Sequence, residues 1–288
     1  MIGIQKKLLL LSTAVFAIRI GLSFLPSFRV DMDAWMGWAM RLAAVGPANF
    51  YSDDTWTQYT PGFLYWLWFV GKIGWLSPLA IKIPVILADM LAGMIIWRIV
   101  SRISHSSAMW LYVLYVLNPV VIFDGSIWGQ IDGILAAGML ASVYLLVDKR
   151  KSNLSWVIAG ITLLVKPQAI ATIPILGITT LMRCGWRRTM VAVSLCGLVV
   201  LMGFYPFFPD DTLLKTIELI HKMGVSYSYT SLFAFNWWAL DGMWKPDNVE
   251  IWGRSLFFWG GLISSGFLSL ILVRYWAAMR AGTKEIYL

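Results

Sequence analysis

Gly62-Phe63-Leu64-Tyr65-Trp66-Leu67-Trp68-Phe69-Val70-Gly71-Lys72-Ile73-Gly74-Trp75-Leu76 is the stretch on which the topology turns. It is apolar enough for a membrane span, but Lys72 and Gly74 interrupt it. Counted as a span, it would put Lys149-Arg150-Lys151 on the outer side. Laid flat in the outer interface, it keeps basic residues in cytoplasmic loops, where they are normally enriched. Tyr65, Trp66, Trp68 and Trp75 suit the headgroup level. The stretch is therefore read as an interfacial helix within an outer loop spanning 29–78.

Outward from it lie runs of about 17 to 25 apolar residues, the length that crosses a bilayer. Expected spans are 8–28, 79–100, 107–124, 133–147, 154–169, 170–182, 189–206 and 254–273, a polytopic all-α helix bundle of about eight spans. The first follows Lys6-Lys7 but is long for a signal peptide and lacks a small-x-small cleavage site, so it reads as an uncleaved span. The whole chain, 1–288, reads as one transmembrane domain. Its composition agrees: 59% hydrophobic and 13% charged, with mean hydropathy +0.72. Soluble domains carry about a quarter charged residues.

The net charge of +8 does not indicate nucleic acid. A nucleic-acid reader gathers Lys and Arg on one face, whereas here they sit in short clusters between apolar runs. Expected cytoplasmic loops hold 13 of the 23 basic residues, and expected outer segments hold 12 of the 15 acids. The basic bias puts the amino terminus in the cytoplasm. Cys184 and Cys196, both expected away from the outer side, predict no disulfide. His105 and His221 are too far apart in sequence to suggest a zinc-type cluster. Two long outer segments, 29–61 and 207–253, are rich in Trp, Tyr and Phe, and long ordered loops tend to carry function.

Four constellations are able to do chemistry. Asp31-Met32-Asp33 sets two carboxylates at the membrane boundary, able to accept a proton or hold a cation, or simply solvated in a loop. Trp128-Gly129-Gln130-Ile131-Asp132-Gly133 combines an indole, an amide and a carboxylate, suited to sugar hydroxyls and a sugar face; Asp132 alternatively caps a helix. In Lys166-Pro167-Gln168, Pro167 breaks a helix, leaving Lys166 to neutralise a phosphate or to snorkel as an anchor. Arg19 and Asp89 lie inside spans, where ionisable groups face the protein interior or a pathway. Arg19 is expected in the outer half, within reach of an anionic headgroup, and Asp89 reads as a structural partner.

In order along the chain, these pieces resemble the GT-C membrane glycosyltransferases, particularly the bacterial branch related to the second mannosyltransferase of GPI-anchor synthesis. The matching segments are Asp31 through Trp38-Ala39, Gly46-Pro47, Phe50-Tyr51, Tyr59-Thr60-Pro61-Gly62-Phe63-Leu64-Tyr65, Lys82-Ile83-Pro84 to Asp89, Asn118-Pro119, Trp128 to Asp132, Lys166-Pro167-Gln168 and Ala234 to Leu240. The resemblance implies transfer of a hexose, mannose by inheritance, from a polyprenyl-phosphate donor on the extracytoplasmic side of the cytoplasmic (inner) membrane, in a multi-pass protein. The acceptor would be a glycan, lipid or protein hydroxyl. Asp31 is the implied base, with Asp33 second. Arg19, Trp128, Gln130, Asp132, Lys166 and Gln168 would bind the donor, and Tyr59, Tyr65 and Asn236 the acceptor. A monophosphate donor requires no metal, and no cofactor is expected. The family's Asp-Tyr-Pro-Pro-Gly is here Gln58-Tyr59-Thr60-Pro61-Gly62, without its acid and one proline, and the chain ends sooner than the family norm. Two other readings use the same residues, a lipid-linked sugar transporter or flippase and a non-catalytic subunit of a glycosyltransferase complex. Transporters, however, place their sites near the midplane between repeated halves, and no repeat is visible here.

Overall fold

A computed structural model of the 288-residue chain describes all residues except Met1, Asp53, Asp54, Trp56, Gln58, 233–235, Asp241 and 282–288; of Ile2, Gly3 and Ile4 it describes the helix alone. The departure at Gln58, the outer acids Asp53, Asp54 and Asp241, and Ala234-Phe235 of the last matching segment lie outside the described residues. The described chain is mostly helical. Its helices are α1 (Ile2–Leu22), α2 (Arg29–Val45), α3 (Pro61–Lys72), α4 (Pro78–Val100), α5 (His105–Val116), α6 (Pro119–Ile122), α7 (Asp132–Leu145), α8 (Ser152–Val165), α9 (Ile173–Cys184), α10 (Trp186–Phe204), α11 (Thr212–Val225) and α12 (Leu256–Arg280). A π-helical turn, Phe123–Trp128, continues α6.

Local chemistry places the breaks. Pro61, Pro78, Pro119 and Pro167 each stand at the start of a helical segment, where the missing N–H costs nothing. Ser77, Ser104 and Asn118 accept hydrogen bonds from Ala80, Ser107 and Val120 to cap α4, α5 and α6. Gly185, at φ +82°, turns the chain between α9 and α10.

α4, α10 and α12 are each long and apolar enough to cross a membrane, and α5 with Pro119–Trp128 adds a broken candidate bent by 44°. The eight expected spans are thus supported in part. The expected span 8–28 instead runs Ile2–Leu22, and the chain starts a new helix at Arg29. The expected spans 133–147, 154–169 and 170–182 fall on helices of 14, 14 and 12 residues. At 1.5 Å per residue these are about 18–21 Å long, short of a hydrocarbon core about 30 Å thick.

The chain divides into two compact units, Met1–Thr212 and Leu213–Leu288, with the division inside the segment read as the second outer loop. In the first unit, α8 packs on α7 and α10, and α4 packs on α1, α5 and α7. Polar side chains tie these contacts. The Ser12 and Tyr112 hydroxyls lie 2.7 Å apart, Ser155 donates to the Ser142 carbonyl at 2.6 Å, and the Trp156 indole donates to Thr180 at 3.0 Å. Such interhelical bonds hold apolar helices together where no water competes.

The decisive stretch is helical over Pro61–Lys72 and lies against α2. Met32, Trp35, Trp38, Ala39 and Leu42 of α2 are buried on one helical face. The start of α3 approaches α8 so closely that a Cβ on Gly62 would overlap the Leu164 and Val165 backbone.

Basic residues mark one end of the first unit. At one end the end of α9 returns to the end of α7: Arg183 donates to the carbonyls of Leu146 and, at 3.0 Å, Val147. Arg102 lies over the Tyr144 ring there, 5.8 Å from its centroid. At the opposite ends of these helices lie Asp31, Trp128, Asp132 and Lys166.

In the second unit, α12 follows a hairpin pairing Glu250–Ile251 with Arg254–Ser255. Its two-residue turn, Trp252-Gly253, has φ +53° and +74°, the left-handed pair that matches strand twist. Trp252 stands 88% exposed at the tip.

Candidate functional site

Asp31 opens α2 and is half-buried. Its Oδ2 accepts from the Trp128 indole at 2.7 Å and from the Gln130 amide at 2.5 Å. These partners lie about a hundred residues away in sequence. Both donors use one carboxylate oxygen, and Oδ1 has no hydrogen-bond partner among the described residues. The arrangement orients the carboxylate with one oxygen free.

Asp33 diverges. The expected boundary loop is helical from Arg29, and residues two apart on a helix point about 200° apart. Asp33 is accordingly exposed while Asp31 turns toward Trp128. The two carboxylates do not act as a pair.

Gln130 reaches its position through backbone geometry. The π turn ends at Gly129, φ +92°, and the Gly129 and Gln130 amides both donate to the Asp124 carbonyl, at 3.0 and 3.1 Å. A side chain at Gly129 would meet Met32 and the Lys82 stem. On the far side of Gln130, the Tyr59 hydroxyl lies 3.4 Å from Oε1. Tyr51 supports Tyr59 by donating to its carbonyl at 2.7 Å. Burial raises the Tyr51 hydroxyl well above its usual pKa, so it stays protonated as a donor.

Lys166 completes the cluster. α8 ends at Val165, and Lys166 adopts an extended conformation before Pro167. Its Nζ donates to Asp132 Oδ1 at 2.5 Å and lies 5.5 Å from the centre of the Tyr59 ring. The Lys166 side chain is 14% exposed and Asp132 51%. Asp132 is the first residue of α7 and makes no capping hydrogen bond; its carboxylate serves Lys166. An ion pair with one partner half in water is worth about 0–1 kcal/mol, so an arriving anion can compete for Lys166.

The structure thus brings together Asp31, Trp128, Gln130, Tyr59, Asp132 and Lys166. Gln168 lies exposed two residues beyond Lys166. Tyr65 uses its hydroxyl to donate to the Gly203 carbonyl at 2.8 Å, joining α3 to α10. Asn236, in the second unit, accepts from the backbone of Trp238 and Ala239 at 3.0 and 3.3 Å, capping a short turn. Arg19, expected at the donor, is instead consumed inside the bundle. It is fully buried, pairs with Asp89, and donates to Ser126 at 2.9 Å and the Val121 carbonyl at 3.0 Å. With those contacts made, it anchors the broken helix that carries Trp128.

Lys82 was given no role by the sequence. It is buried in α4 and donates to the carbonyls of Ser23 at 2.8 Å and Leu25 at 3.4 Å, holding the link between α1 and α2 that leads to Asp31. A single lysine in Pro78-Leu79-Ala80-Ile81-Lys82-Ile83-Pro84 was its signal, because an ammonium in an apolar helix needs a partner.

Comparison with protein-family models, with curated proteins and with solved structures finds no match to this chain.

Proposed function

We propose that this chain is an integral membrane glycosyltransferase, moving a hexose from a polyprenyl-phosphate donor to an acceptor hydroxyl with inversion and without a metal. The observation that carries this reading is the Asp31 carboxylate, gripped through one oxygen by Trp128 and Gln130, with the Lys166 ammonium beside the Tyr59 ring that completes the cluster. Asp31 Oδ1 takes the proton of the acceptor hydroxyl while that oxygen attacks the anomeric carbon. The bond from that carbon to the phosphate oxygen breaks, and polyprenyl phosphate leaves with the electron pair. Lys166, released from Asp132, meets its negative charge. The donor already carries a good leaving group, so one base and one cation suffice, the base contributing on the order of 10²–10⁴-fold and the cation acting on developing charge.

In this reading the helices cross the bilayer about eight times, with α2 and α3 in the outer interface and the shorter helices completing the bundle. The basic end faces the cytoplasm, consistent with the normal bias of Lys and Arg, and the Asp31 cluster faces the opposite side of the cytoplasmic membrane. The basic residues of the short loops at the other end, Arg102, Lys149, Arg150, Lys151 and Arg183, support that orientation.

The test is transfer by purified protein in lipid, with polyprenyl-phosphate mannose and other polyprenyl-phosphate hexoses as donors and membrane glycolipids as acceptors, read by mass spectrometry. Asp31→Asn lowers the rate about 10²–10⁴-fold. An unchanged rate removes Asp31 as the base. Counterflow of labelled donor in sealed vesicles with no covalent product favours the transporter reading instead.

A further inference from the structure

The second unit contains a cavity that the Asp31 cluster does not use. Residues 228–231 run antiparallel to 244–247. Thr230 donates to the Lys245 carbonyl at 2.8 Å, Trp244 to that of Ser231 at 3.0 Å and Asp247 to that of Ser228 at 3.0 Å. The Phe257 amide donates to the Asp247 carbonyl at 3.0 Å, tying this ladder to the start of α12. Between ladder and helix lies a cavity of about 240 Å³, lined by Tyr229, Thr230, Trp238, Asp247, Gly261 and Ser264 among others.

Its chemistry is selective. Among the described residues Asp247 is the only charged one in the lining, and its carboxylate has no hydrogen-bond partner among them. An unpaired carboxylate accepts hydroxyls two at a time and repels anions. Thr230 lines the cavity, and its hydroxyl is shut off from solvent without a partner among the described residues. Tyr229 and Ser264 add hydroxyls, and Trp238 offers an aromatic face. At about 30 Å³ per water, the space equals about eight waters, enough for one sugar ring. Gly261 keeps the helix side open, because a Cβ there would meet nothing within 4 Å.

We propose that this cavity binds a single neutral hexopyranose unit, its hydroxyls on Asp247 and Thr230 and its apolar face on Trp238. An organic ammonium would suit Asp247 and the rings but would leave the Thr230 hydroxyl unsatisfied. The proposal stands on this unit's own residues, and its test uses no donor, so failure here and failure of the transfer reading are separable.

The experiment is saturation-transfer NMR on the full-length protein in nanodiscs, with methyl mannopyranoside, glucopyranoside and galactopyranoside and choline as separate probes. At least one methyl hexopyranoside binds, and choline does not. Asp247→Ala weakens binding roughly 10-fold or more, as loss of bonds to a charged acceptor requires. Thr230→Val, which keeps shape, weakens it severalfold, and Gly261→Leu abolishes it by filling the space. Asp31→Asn leaves it unchanged. Should Asp247→Ala not fold, Gly261→Leu and Thr230→Val carry the test. Choline binding, no hexoside signal, or hexoside binding indifferent to Gly261→Leu overturns the proposal.

Discussion

Replacing Arg19 with Met tests whether the buried ion pair holds the broken helix. Arg19 and Asp89 side chains are 0% and 2% exposed. The substitution leaves the Asp89 carboxylate without its cation and frees the Ser126 hydroxyl and the Val121 carbonyl. Removing one partner of a buried pair costs about 3–5 kcal/mol, and the two further hydrogen bonds that Arg19 makes put this case at the upper end. Arg19→Met therefore destabilises the first unit by about 5 kcal/mol. Asp89→Asn keeps the side chain's size and leaves Arg19 its other two bonds, so it costs less, about 3 kcal/mol. The double change Arg19→Met with Asp89→Leu removes both charges and lies closer to the parent than Arg19→Met alone, because well-packed apolar replacements of a buried pair are near neutral. Chains of this size shift by about 2–4 °C per kcal/mol, so Arg19→Met lowers the melting temperature by about 10–20 °C. The assay is heating at one fixed rate in one detergent, since membrane proteins often unfold irreversibly, followed by size-exclusion of the surviving fraction. A drop below about 4 °C, or a double variant no closer to the parent than Arg19→Met alone, refutes the anchoring role.

Three further outcomes follow from the geometry. Trp128→Phe keeps the ring packed against Phe28, centroids 4.9 Å apart, but removes the N–H to Asp31; at about 1.5–3 kcal/mol for a bond to a charged group, transfer falls by roughly 10- to 100-fold in kcat/KM, and an unchanged value shows that Trp128 does not orient the base. Gly62→Ala presses a methyl into the Leu164 and Val165 backbone and costs about 1–3 kcal/mol in the same heating assay; parental stability contradicts that close approach. Single cysteines replacing Gln168 and Arg150 in an otherwise cysteine-free chain react with a membrane-impermeant maleimide from opposite sides of sealed vesicles, and reaction from one side alone contradicts the two-ended arrangement.

Much of this organisation is legible along the chain because its causes are local. Apolar content marks a chain with helices long enough to cross a membrane, prolines at 61, 78, 119 and 167 mark where helical segments begin, and basic clusters mark the short loops between helices. The motif residues that gather at the site, Asp31, Trp128, Gln130, Asp132 and Lys166, stand out as polar groups at the edges of apolar runs. Side-chain direction is not local in this sense. Asp31 and Asp33 are equivalent in composition, and a helix beginning at Arg29 turns one inward and the other out. Arg19 looks free to reach a headgroup until folding brings Asp89, seventy residues later, against it. Lys82 has no assigned role until it meets the two carbonyls that follow α1. Each of these depends on which distant backbone arrives beside the side chain, and burial makes that partner obligatory, because a charged or hydrogen-bonding group removed from water must be satisfied where it lies.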